Sequence, residues 1–85
     1  MSMSQLQRDK RAIFQTLPVD GTPMLMAEVL LRAGEGLGRA MSLLKQEGLV
    51  THSMIDDCNA YALTAEGMRK GSRARARIKR IQAAR

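Results

Sequence analysis

At Gly48 the apolar period of this chain changes, and that change narrows the possible folds more than any other feature of it. Before that glycine, Leu37, Ala40, Met41 and Leu44 recur at i, i+3, i+4 and i+7, the stripe of a helix with one buried side. After it, the runs Leu49–Met54 and Asn59–Leu63 read as two short strands around a loop, Ile55-Asp56-Asp57-Cys58. Asp-Asp followed by Asn suits a hairpin turn. A helix of about ten residues that passes through a glycine into a hairpin cannot cover its own apolar side, so elements elsewhere in the chain must do so.

The preceding residues supply two more helices. Ser4 with Gln7 has the spacing of a capping box, and Met3, Leu6, Ile13, Phe14 and Leu17 follow at helical spacing among the polar Gln5, Arg8, Asp9, Lys10 and Arg11. Leu17 stands before Pro18, which stops the helix, and Val19-Asp20-Gly21 is a turn. Thr22-Pro23 predicts a second start, a hydroxyl cap with proline in the first helical position. Met26, Val29 and Leu30 form its apolar face, Leu25 and Ala33 flank it, and Gly34 suits the left-handed position that ends it. Beyond the hairpin, Thr64 caps a last helix with Glu66 in its first turn. Gly67 and Gly71-Ser72 weaken its start and place a break before Arg73; Ala74, Ile78 and Ile81 then repeat at i, i+4 and i+7 among arginines.

Composition removes several function classes. Eighty-five residues make one domain at the small end of what folds without disulfides or metal, for which a second subunit is a reasonable expectation. Phe14 and Tyr61 are the only aromatic residues besides His52, so a platform for stacking single-stranded bases is not expected. One cysteine, Cys58, and one histidine, His52, make neither an internal disulfide nor a metal-ligand set. No apolar run approaches the ~18 residues of a membrane span, and Met1-Ser2-Met3-Ser4 has no signal-peptide character; a cytoplasmic protein without a membrane partner is expected. No nucleophile lies beside a base, Asp56 and Asp57 are turn neighbours rather than a catalytic pair, and Gly34-x-Gly36-x-Gly38 follows no strand. The chain is read as a non-enzyme with no cofactor.

Charge is divided sharply along the chain. Residues 1–67 hold six basic against eight acidic side chains. Residues 68–85 hold Arg69, Lys70, Arg73, Arg75, Arg77, Lys79, Arg80 and Arg85 and no acid. An unopposed cationic run of this density repels itself unless a polyanion covers it, and points to nucleic acid.

The expected order is helix, helix, tight turn, helix, hairpin, helix. These are the parts of a winged helix-turn-helix, an α+β fold that is mostly α, with three helices, a two-stranded wing and a basic C-terminal helix. The stretch from Leu37 to Val50 resembles the recognition helix of bacterial winged-helix regulators, the MarR type among them, which ends L-x-x-L-x-x-x-G-L-V with Met41 here in the first Leu position. Tyr61-Ala62-Leu63-Thr64-Ala65-Glu66-Gly67 resembles that family's Y-x-L-T-x-x-G exit from the wing, and the likeness covers roughly residues 5–70. The resemblance implies a small DNA-binding transcriptional regulator of bacterial, plasmid or phage type, a homodimer joined through its outer helices. Residues 1–71 would be the DNA-binding domain and residues 72–85 a basic helical arm.

On that reading, the outward residues of the third helix meet a major groove. Arg39 is the best candidate for a base contact because a guanidinium matches guanine O6 and N7; Ser42 and Gln46 read further along, Lys45 lies nearer the backbone, and Gly38 allows close approach. Arg69, Lys70, Arg73, Arg75, Arg77, Lys79 and Arg80 would hold phosphates. The wing departs from the family pattern. Its tip carries Asp56 and Asp57 in place of Arg or Lys, which phosphates repel and a protein partner could accept. The alternative function is therefore an interaction adaptor or inhibitor, with an acidic face for a protein and a tail that adheres to nucleic acid. A third reading is an RNA-binding protein led by the arginine-rich arm.

Overall fold

In the computed structural model, which describes residues 4–71, the chain is α+β, with four helices and a three-stranded antiparallel sheet. The elements are α1 (Gln5–Thr16), β1 (Met24–Leu25), α2 (Met26–Ala33), α3 (Gly38–Gln46), β2 (Val50–Ile55), β3 (Cys58–Leu63) and α4 (65–71).

Local chemistry explains most of these boundaries. Ser4 Oγ accepts the Gln7 N–H at 3.2 Å and so satisfies one of the free amides that open α1. Leu17, extended at ψ 140 ahead of Pro18, ends the helix. α1 buries Ile13, and Leu17 just past its end has no exposed surface either; Leu6 and Phe14 pack beside them. The α3 stripe is buried throughout, with Leu37, Ala40, Met41 and Leu44 each at most 2% exposed. Val29 of α2, Met24 of β1 and Leu49, Val50 and Leu63 at the base of the hairpin complete the core. Lys10 Nζ meets Glu47 Oε1 at 2.6 Å and ties α1 to the end of α3.

The second helix begins later than Thr22-Pro23 predicts. Met24 and Leu25 first run as a strand, opposite Tyr61 and Ala60 of β3, and α2 starts at Met26 behind Leu25, which offers no capping side chain. The reason is non-local: β3 presents a free ladder edge that takes up the backbone of Met24 and Leu25. The Thr22 N–H is instead taken by Asp20 Oδ1 at 3.0 Å, and hydrogen bonding to Thr22, through its side chain first and then its backbone, holds the Asp20 carboxyl below its ordinary range. The sheet therefore has the order β1-β3-β2, three strands rather than two.

The hairpin turn is tighter than the four-residue loop expected. Pairing runs unbroken from Val50↔Leu63 to Ile55↔Cys58, leaving only Asp56 (φ 49) and Asp57 (φ 63) in the turn. Two successive positive φ values are those of a type I′ turn, the form that matches strand twist, and Asp is among the few non-glycine residues that tolerate them.

At the other end of the hairpin, three segments meet. Gly48 leaves α3 at φ 76. The Leu49 carbonyl accepts the Thr64 N–H at 3.1 Å, while Thr64 Oγ1 donates to the Gly48 carbonyl at 2.6 Å and accepts the Gly67 N–H at 3.2 Å. A methyl group on Gly67 would stand 1.9 Å from the Leu49 carbonyl oxygen, and one on Gly71 would stand 3.7 Å from Phe14 Cδ1. Gly67, expected to weaken this helix, is thus a point of close packing, Gly71 leaves room for ordinary contact, and α4 runs without a break to residue 71. The expected break before Arg73, the Ala74/Ile78/Ile81 stripe, the arm 72–85 and Met3 lie outside the described residues. Among the described residues, no helix is long and apolar enough to cross a membrane.

Candidate nucleic-acid interface

The surface of α3 follows from its burial. Once Leu37, Ala40, Met41 and Leu44 are committed to the core, Gly38, Arg39, Ser42, Lys45 and Gln46 form the polar side of the helix. All five are exposed. The opposite side of this nine-residue helix is fixed by contacts with α1 and β2. The start of α3 is unencumbered. Leu37 in the cap position makes no side-chain hydrogen bond, the first turn contains no acid, and a methyl group on Gly38 would meet nothing within 4 Å. The turn from α2 is made by Gly34 (φ 106) and Gly36 (φ 79), and Glu35 between them is exposed.

Ion pairing separates the cations into two groups. Lys10, Arg32 and Arg69 are engaged by Glu47, Glu28 and Glu66 respectively. Arg39 and Lys45 make no ion pair among the described residues, nor do Arg8 and Arg11, three residues apart on the exposed side of α1. The sequence marks the α1 pair only as polar, and its i, i+3 spacing is the signal that sets the two on one side of the helix. Arg69 and Lys70 are exposed but stand on α4, a different element from α3. Arg73, Arg75, Arg77, Lys79, Arg80 and Arg85 lie outside the described residues. Over residues 4–71 the chain carries eight basic and eight acidic side chains, so any attraction this body has for an anion arises from placement rather than net charge.

The hairpin adds no cation. Asp56 and Asp57 are exposed at its tip, and exposed Cys58 is paired with Ile55. His52 Nε2 lies 2.8 Å from Asn59 Oδ1, and its ring packs on Tyr61 with centroids 5.1 Å apart, so the imidazole has a place within the hairpin itself. Among the described residues no cluster of three or more His, Cys, Asp or Glu side chains could hold a metal ion.

The fold is similar to that of a DNA-binding protein. Sso10a-2, a DNA-binding protein from Sulfolobus solfataricus, matches 96% of this chain and 87% of its own with a TM-score of 0.66. Sequence identity is 14%, so the likeness is one of fold. No protein-family model matches the chain and no curated protein sequence matches it, and the MarR-type resemblance rests on its residues alone.

Proposed function

We propose that this protein is a winged helix-turn-helix DNA-binding protein that reads duplex sequence with α3, as a transcriptional regulator does. The observation that carries the reading is the division of α3: four core residues on one side, and Gly38, Arg39, Ser42, Lys45 and Gln46 on the other, with both cations free of ion pairs among the described residues. Rigid packing of one side of a short helix presents the other at a fixed angle, which major-groove readout requires. Arg39 takes the base-edge role, Ser42 and Gln46 extend it, Lys45 meets phosphate, and the open α3 start at Gly38 lets backbone N–H groups approach the duplex. The cations of residues 69–85 supply sequence-independent attraction. DNA binding by a protein of similar fold supports the same reading.

The test is enrichment from a random duplex library at low and moderate salt, with the intact chain and with Arg39→Ala. The intact chain is expected to enrich one motif. Arg39→Ala is expected to relax one position of it, at a cost of about 1–3 kcal/mol against the preferred base. Binding without any motif, unchanged by Arg39→Ala, overturns the readout. The adaptor reading draws its support from the acidic tip at Asp56 and Asp57, and such an outcome would favour it.

A further inference from the structure

We propose that Lys10 of α1 is a positioning residue for the DNA-reading helix: by holding the Glu47 carboxylate, it lets α3 lie between two phosphate backbones without an uncompensated acid on its flank. The inference rests on the reading that α3 enters a major groove, and gives a role to two residues outside the polar side of that helix. Consecutive residues of a helix stand about 100° apart. Lys45 and Glu47 therefore fall on opposite flanks of Gln46, and Glu47, at φ −77 and ψ −4, still follows the helical path. A helix with its side chains is about 10–12 Å across and the major groove about 12 Å wide, so each flank of an inserted helix faces a phosphate backbone. Lys45 suits one of them. A bare Glu47 is repelled by the other.

Glu47 is also poorly placed within its own helix, because a carboxylate at the C-terminal end meets the negative end of the helix dipole. The acid needs a cation on both counts, and another element supplies it. Lys10 Nζ meets Glu47 Oε1 at 2.6 Å across 37 residues of chain. The other two ion pairs among the described residues, Glu28–Arg32 and Glu66–Arg69, each lie within one turn of a single helix. Lys10 stands, moreover, where a lysine is unexpected. Leu6 lies four residues before it, and Ile13, Phe14 and Leu17 lie three, four and seven after it, so it occupies the apolar stripe of α1. An apolar side chain would pack there without desolvating a charge. The lysine side chain is only 26% exposed, against 42% for that of Glu47. A lysine in this place covers the stripe with its stem and delivers its ammonium to the end of α3.

The test is a double-mutant cycle on the duplex affinity of the full chain, measured at low salt on the motif the intact chain enriches, with the folding of each variant checked by circular dichroism. Lys10→Met keeps the apolar stem and removes the charge, leaving Glu47 bare. Affinity is expected to fall about fivefold, and the deficit to shrink as salt is raised. Adding Glu47→Gln to Lys10→Met is expected to restore affinity to within about twofold of the parent. Lys10→Arg, which keeps the cation, is expected to bind as the parent does, and Lys10→Gln is the second neutral variant in case methionine disturbs the fold. A pair that only braced the fold would leave the double variant as weak as the single one. Failure of Glu47→Gln to restore binding therefore overturns the proposal, as does a folded neutral variant of Lys10 that binds like the parent. An intact chain that enriches no motif removes the DNA reading itself, and this inference with it, before any substitution is made.

Discussion

Gly67 shows how much one residue can decide in a domain this small. Its missing side chain is what lets α4 lie on the Leu49 carbonyl, the same oxygen that accepts the Thr64 N–H. A methyl group 1.9 Å from a backbone oxygen cannot be relieved by a rotamer change, so the helix or the hairpin base must move. Gly67→Ala is therefore expected to cost about 3 kcal/mol, at the upper end for overpacking, although alanine is the better helix former by about 1 kcal/mol. Urea unfolding monitored by circular dichroism measures this; a midpoint equal to or above that of the parent would show that the junction yields freely. Thr64 acts at the same place through its hydroxyl, which both donates to Gly48 and accepts from Gly67. The Thr64 cap was legible from sequence. The role of Gly67 was not, because an isolated glycine reads as a weak point unless its neighbour across the fold is known.

Among the elements, the hairpin and α3 differ in how they are specified. The α3 stripe is set by its own periodicity, and all four of its residues were expected in the core and are found there. The hairpin depends on a turn in which Asp56 and Asp57 both adopt positive φ, a conformation in which an Asn-Gly pair is more favourable. The double substitution Asp56→Asn with Asp57→Gly is expected to stabilise the domain by about 0.5–1 kcal/mol and raise Tm by a few degrees. A thermal melt of the double variant checks this; a lowered Tm would mean that the two carboxylates contribute contacts of their own. The start of α2 shows the opposite case. Thr22-Pro23 carries a sound local signal for a helix, yet β3 draws Met24 and Leu25 into the sheet.

Over the molecule as a whole, charge and fold are separated. Residues 4–71 balance, and the whole net charge of +6 arises from the cations beyond residue 71. Duplex affinity should accordingly depend on salt mainly through the arm. With five phosphate contacts, the slope of log affinity against log salt is about −4.5. Arg73→Gln, Arg75→Gln and Arg77→Gln together in the full chain are expected to make it shallower by up to about 2.7 while leaving the preferred sequence unchanged. Fluorescence anisotropy over a salt series measures the slope; an unchanged value would remove these residues from the interface.

The order of the helices and the hairpin, the buried stripe of α3, the stop at Leu17 and the caps at Ser4 and Thr64 were all readable along the chain. Each is written in residues within about one turn of one another, and local spacing is enough to read it. The charge division and the polar side of α3 follow by the same logic, since what is not in the stripe is left to face solvent. The third strand, the close packing at Gly67, the Lys10–Glu47 tie and the position of β2 at an open edge emerge only once the chain is folded. These join residues far apart in the chain, and their energies come from ladder bonds and van der Waals approach between segments that no local pattern connects.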